Sequence, residues 1–171
     1  MSRLSIDVLR SLFAYREDGE LVWKAKLSAV SPIVVGSVAG TTIGKKKKYK
    51  IIHVGGKKIF AHLIVWALHN GQWADVDVDH KDGDGLNNRI DNLRLATRSQ
   101  NCMNRKVRSD NASGLKGARK RKNRDGTDVW VSVIWIDGKE KYLGRFPSAL
   151  AAHEAYMEAA NQNFGEFARA S

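Results

Sequence analysis

The adjacent pair Asp79-His80 sets a carboxylate beside an imidazole, and two amide side chains, Asn92 and Asn101, follow at short range. The alternating run 76–79 predicts a short strand that ends at the pair, and 93–96 predicts a second. Thr97-Arg98-Ser99-Gln100 reads as a capping box, which predicts a helix from Arg98 to about Val107. Strand, loop, strand and helix are the expected order of residues 76–107. That order puts Asp79 and His80 at the end of a strand and Asn101 one turn into the helix, facing back across the hairpin. A carboxylate and an amide oxygen converging there suit Mg²⁺, with Mn²⁺ as a possible substitute, because hard cations prefer oxygen. His80 can be neutral at physiological pH and so can take a proton from an attacking water. The loop 81–88 also has the composition of a calcium loop. That reading fails, since the twelfth position is Ile90 counted from Asp79 and Leu93 counted from Asp82, where a carboxylate is required.

Charge is distributed as such chemistry would need. The chain has 171 residues and a formal net charge of +11. Arg98, Arg105, Lys106, Arg108, Lys116, Arg119, Lys120, Arg121, Lys122 and Arg124 share their stretch with one acid, Asp110. Just before it, Asp75, Asp77, Asp79, Asp82, Asp84 and Asp91 outnumber Lys81 and Arg89. Carboxylates for a metal beside cations for phosphates point to a polyanionic partner, nucleic acid first. A single Cys102 excludes an internal disulfide and a Cys-pair zinc site. No apolar stretch is long enough to span a bilayer, and the N-terminus lacks a signal-peptide core, so a cytoplasmic protein with no membrane partner is expected.

The remaining elements must hold this constellation. Residues 6–12 form an amphipathic turn, and 13–23 a hairpin around Asp18-Gly19. The β-branched runs 34–39 and 49–54 predict strands, and Gly55-Gly56 turns the second into 57–60. Lys45 to Lys48 form a charged loop, either a solvated turn or a DNA-contacting finger. Residues 61–70 have helical spacing and a stop at Asn70-Gly71. His62, near the start of that helix, can serve packing or the site. Beyond a polar linker at 109–114, strands are predicted at 115–121, 129–136 and 140–146, and a helix with a small-residue face at 148–161.

The run Val78-Asp79-His80-Lys81-Asp82-Gly83-Asp84-Gly85-Leu86-Asn87-Asn88-Arg89-Ile90-Asp91-Asn92-Leu93-Arg94-Leu95-Ala96-Thr97 resembles the HNH endonucleases of bacteriophages and mobile introns. Ser99-Gln100-Asn101-Cys102-Met103-Asn104 continues the likeness, and 61–66 resemble the helix that precedes the motif. The resemblance implies a ββα-metal fold. It implies His80 as general base, Asp79 and Asn101 as ligands of one divalent metal, and Asn92 as the residue that fixes the loop presenting His80. Asn101 stands where the third name-giving residue is often His, and Leu63 where an Arg is usual.

Residues 113–168 resemble the APETALA2-type DNA-binding domain, through Trp130, the run Tyr142-Leu143-Gly144-Arg145-Phe146, the Ala-rich helix with Tyr156, and Gly165-Glu166-Phe167-Ala168. That family places a three-stranded sheet in the major groove. Lys116, Arg119 and Arg121 are the expected phosphate or base contacts, with Trp135 and Tyr142 able to meet sugar or base, and Arg105, Lys106 and Arg108 crossing phosphates beside them. Alternation points Trp130, Ser132 and Ile134 to the helix and Val131, Val133 and Trp135 outward.

The expected fold is α+β in three parts: a β-rich N-terminal unit (1–60), a ββα-metal nuclease core (61–108) and a sheet-plus-helix DNA-binding domain (109–171). The expected function is metal-dependent hydrolysis of phosphodiester bonds in double-stranded DNA, of homing type, by a monomer or a homodimer. The alternatives are a non-cleaving DNA-binding regulator on an inactive scaffold, an RNA-processing protein and a nonspecific toxin-like nuclease.

Overall fold

The computed structural model describes residues 3–45, 48–104, 107 and 111–170. The chain forms two compact units, Met1–Ala96 and Thr97–Ser171.

In the first unit, the Ser5 hydroxyl accepts the Val8 N–H and caps helix α1 (Ile6–Leu12), which buries Leu9. Strands β1 (Phe13–Tyr15) and β2 (Leu21–Trp23) pair antiparallel, and the Asp18 carboxylate accepts the Glu20 N–H inside their turn. Strands β3 (Thr41–Ile43), β4 (Tyr49–Val54) and β5 (Lys57–Phe60) form a sheet in that order. Gly55 and Gly56, between β4 and β5, have φ of 56° and 68°, the left-handed pair that a tight two-residue hairpin needs. Helix α2 (Ala61–Asn70) stops at Gly71, again left-handed. Strand β6 (Asp77–His80) then pairs antiparallel with β7 (Leu93–Ala96), after a short 3-10 turn at Ile90–Asn92.

Leu9, Phe13, Leu21, Trp23, Ile52, Val54, Ile64, Val65, Val78 and Leu93 belong to one apolar core. The predicted boundary at residue 60 therefore does not separate two cores. A two-stranded ribbon and a ten-residue helix bury too little apolar surface to stand alone, so the N-terminal elements complete their core. The run 34–39, expected as a strand, is a loop with a single bridge from Val38 to Val22. Val34 and Val35 face solvent, and Gly36 takes φ of 86°, which breaks an extended run. The third strand of the sheet is instead β3.

The second unit begins with helix α3 (Arg98–Met103), shorter than the expected helix to Val107. The capping box is formed: Thr97 Oγ1 accepts the Gln100 N–H and Gln100 Oε1 accepts the Thr97 N–H. Strands β8 (Ala118–Lys122), β9 (Asp128–Ile136) and β10 (Lys139–Phe146) make an antiparallel sheet with β9 central. Helix α4 (Ala149–Phe164) packs on this sheet and buries Ala152, Tyr156, Ala160 and Phe164. The contact is tight at Gly117, where a Cβ would lie 2.2 Å from the Tyr156 ring. Ser132 and Ile134 are buried, as the alternation predicts, but so are Val131 and Val133 on the opposite face. Arg119 and Arg145 flank Val131, and Tyr142 flanks Val133, so long neighbouring side chains cover the middle of the strand. Trp135, at the strand's end, stays about half exposed.

Candidate active site and nucleic-acid interface

Strand β6 delivers Asp79 and His80 to its end, and both are buried, at 5% and 4% exposure. His80 Nε2 lies 3.0 Å from Asn88 Oδ1. The His62 ring meets the His80 ring edge to face at 4.8 Å, and Tyr49 stands 6.1 Å away, so rings from α2 and β4 wall the imidazole. His62 thus touches the candidate base, which its sequence position alone left undecided.

The loop from Lys81 to Asn92 is built by its own polar side chains. Asn92 Nδ2 donates to Asp82 Oδ1 (3.0 Å) and to the Asn87 carbonyl (2.8 Å), while its Oδ1 accepts the Asp82 N–H (3.1 Å). Asp82 also accepts the Asp84 N–H and the Asn87 amide, and Asp84 accepts the Leu86 N–H. Burial works to raise the Asp82 carboxyl, but hydrogen bonds from Asp84, Asn87 and Asn92 and the nearby His80 outweigh it and lower the pKa. These carboxylates therefore act as turn-formers. Gly85 seats the loop on β4, since a Cβ there would fall 2.4 Å from the Lys48 carbonyl and 2.6 Å from the Tyr49 ring.

Asp79 faces Arg94 across the β6–β7 ladder, and Arg94 Nε and Nη2 each lie 3.3 Å from Asp79 Oδ2. Sequence reasoning missed this cation, although pairing the two predicted strands would have set it opposite the carboxylate. A carboxylate offers about four acceptor positions, so a guanidinium and an ion can share it. Among the described residues no three His, Cys, Asp or Glu side chains gather to form a metal cage. The Asp79 carboxylate is the hard oxygen donor that Mg²⁺ takes, an ion that keeps water and phosphate in its other positions, so the residue type fits that ion.

Of the remaining expected site residues, Asn101 lies in α3, in the second unit, and is partly buried. Arg105, Lys106 and Arg108 fall outside the described residues. Arg119 and Arg121 are exposed on β8, and Tyr142 and Trp135 are exposed on β10 and β9. Register sets Arg119 and Arg145 opposite Val131, Arg121 opposite Val129, and Tyr142 opposite Val133. Paired residues share a face, so the three arginines and the two aromatic rings belong to one side of the sheet. Arg145 does not stand out in the sequence; the register that reveals it is implied by the turns.

Lys116 is placed differently from these. Its Nζ donates to the Met103 carbonyl (2.8 Å) and to the Arg169 carbonyl (2.9 Å) and so ties two segments of its own unit. Burial, with the charge of Arg169, pushes its pKa down to about 8. Glu140, on the arginine face, pairs with Arg119 at 3.2 Å.

This hairpin, with its carboxylate–imidazole pair and Asn-locked loop, lies within residues 60–103, which match the HNH endonuclease family. The chain belongs to the same family as "Protein 3.8" of Escherichia phage T7, with 35% identity over 96 residues, 56% of this chain and 74% of that protein. It is also similar to "Uncharacterized HNH endonuclease L560" of Acanthamoeba polyphaga mimivirus, with 31% identity over 124 residues, 72% of this chain and 62% of that one. No solved structure matches the chain. No helix among the described residues is long and apolar enough to cross a membrane.

Proposed function

We propose that this protein is a metal-dependent endonuclease that hydrolyses phosphodiester bonds in double-stranded DNA, and that its second unit grips the duplex. The observation that carries the reading is His80, buried beside Asp79 and oriented by a side-chain hydrogen bond, within the segment that matches the HNH family. Asp79 is the proposed metal ligand, and the motif's spacing assigns Asn101 as the second oxygen donor. A bound Mg²⁺ or Mn²⁺ would stabilise the negative charge that builds on the phosphate and the departing oxygen.

The chain's own residues do the rest. His80 accepts a proton from water through a ring nitrogen. That water's oxygen forms the new bond to phosphorus as the P–O3′ bond breaks, leaving a 5′-phosphate and a 3′-oxygen that is protonated by solvent. Asn92 keeps the loop closed, so the imidazole arrives preorganised rather than being ordered at the moment of attack. The Arg119, Arg121 and Arg145 face supplies phosphate neutralisation, and Trp135 and Tyr142 supply flat apolar contact to sugar or base. The resemblance of residues 113–168 to the APETALA2-type domain, and a sheet backed by one helix, support this part of the reading.

The test is cleavage of supercoiled plasmid with and without Mg²⁺ by the wild type and by His80→Ala. Wild type is expected to nick or linearise only with the metal, and His80→Ala to lose at least about 10²-fold in rate while binding duplex DNA as before. Equal rates would remove His80 from the mechanism. No cutting by the wild type under any divalent metal would leave a DNA-binding regulator on an inactive scaffold.

A further inference from the structure

Asn88 is the most enclosed polar side chain near the candidate site, at 1% exposure. Its Oδ1 is 3.0 Å from His80 Nε2, and its Nδ2 is buried without a hydrogen-bond partner among the described residues. A buried amide that leaves one donor unsatisfied is a poor space-filler, and an apolar residue of similar size would avoid that penalty. What the side chain does bond is the imidazole. Its backbone is clamped from two sides. Gly19, in the β1–β2 turn, lies so close that a Cβ would fall 2.6 Å from Arg89 N and 2.8 Å from Asn88 C. The Tyr15 hydroxyl accepts the Ile90 N–H at 3.1 Å. The N-terminal hairpin thus braces the residues on which Asn88 sits.

The nitrogen that faces Asn88 is Nε2, and when Nε2 carries the ring proton the basic lone pair of the imidazole is on Nδ1. An imidazole can accept at Nδ1 only when its own proton is on Nε2, and a proton held at Nε2 in a buried site needs an acceptor. Asn88 Oδ1 is at the right distance to be that acceptor. We propose that Asn88 is a positioning residue that holds His80 in its Nε2–H tautomer and so makes Nδ1 the proton-accepting atom. The proposal rests on the reading of His80 as the base, and it adds a residue that the four-residue motif does not contain.

Two measurements on the intact 171-residue chain test it. In ¹⁵N-labelled wild type, the His80 ring, assigned by difference from His80→Ala, is expected to show the Nε2–H pattern. An Nδ1–H pattern would mean that the Asn88 amide donates to the ring, and would overturn the proposal whatever the enzyme does. The second measurement is single-turnover cleavage of supercoiled plasmid with Mg²⁺. Asn88→Leu is expected to slow the cutting step by about 10²- to 10⁴-fold, the worth of a positioned general base, with little change in the enzyme concentration that half-saturates the DNA. Asn88→Asp keeps an acceptor oxygen and is expected to recover most of that loss and to restore the Nε2–H pattern, which also covers the case in which the leucine variant fails to fold. Wild-type cutting by folded Asn88→Leu, or an aspartate variant as slow as the leucine one, would refute the role. If His80→Ala cuts normally, the nuclease reading fails instead, and the tautomer measurement still stands as a separate result.

Discussion

Gly19→Ala tests whether the N-terminal hairpin sets the geometry of a site that it does not itself contain. Gly19 has φ of 90°, where an L-residue is strained by roughly 1–2 kcal/mol. Its new methyl would also stand 2.6 Å from Arg89 N, about 0.8 Å short of ordinary contact, and the atoms it meets are backbone rather than a flexible side-chain tip. Overpacking of this kind adds about 1–3 kcal/mol, so a total loss of roughly 2–5 kcal/mol is expected in the first unit. The 88–89 backbone must retreat by most of that distance and take the Asn88 oxygen away from His80. A misplacement near 1 Å in a positioned group costs about 10²-fold in rate. Urea denaturation reports the stability change and single-turnover plasmid cleavage the rate, with duplex affinity as the control that should stay constant. If Gly19→Ala keeps both the wild-type midpoint and the wild-type rate, the hairpin does not brace the loop and the argument for Asn88 loses its scaffold.

Removing Arg119, Arg121 or Arg145 singly to Ala should weaken duplex binding and lower the slope of log affinity against log salt by up to about 0.9 for each phosphate left unneutralised, measured by fluorescence anisotropy across a salt series. Glu140→Gln should act in the opposite direction, because it releases Arg119 from an ion pair and removes a negative charge from the same face. Lys116→Ala should instead lower thermal stability and leave binding by the folded protein nearly intact, since its ammonium is bonded to carbonyls within the unit. The folded pKa of Lys116, about 8, lies below the unfolded value near 10.5. Between those values the unfolded chain holds one more proton, so stability of the second unit should rise with pH across that window, and the rise should vanish in Lys116→Met.

The order of elements was legible because it is written in short-range chemistry. Gly55-Gly56 and Asp137-Gly138 adopt the left-handed pairs that such dipeptides favour, and Thr97 and Gln100 close their capping box. The run 34–39 misled because its valines carry strand propensity, yet Gly36 bends the chain and no facing surface buries Val34 or Val35. Lys116 looked like a phosphate contact by charge alone; only the folded unit brings the Met103 and Arg169 carbonyls to it.

For the candidate site, residue type and spacing were enough to single out Asp79, His80 and Asn92, because a hairpin's chemistry depends on which side chains stand at its ends and in its loop. Partner identity was decided elsewhere. His62 against His80, Arg94 on Asp79, Asn88 on Nε2 and Gly19 against the Asn88 backbone are contacts between segments that packing alone brings together. A local pattern can name the groups able to do chemistry, but the tautomer and orientation in which they are held depend on atoms distant in sequence, which only a shared core can put in place.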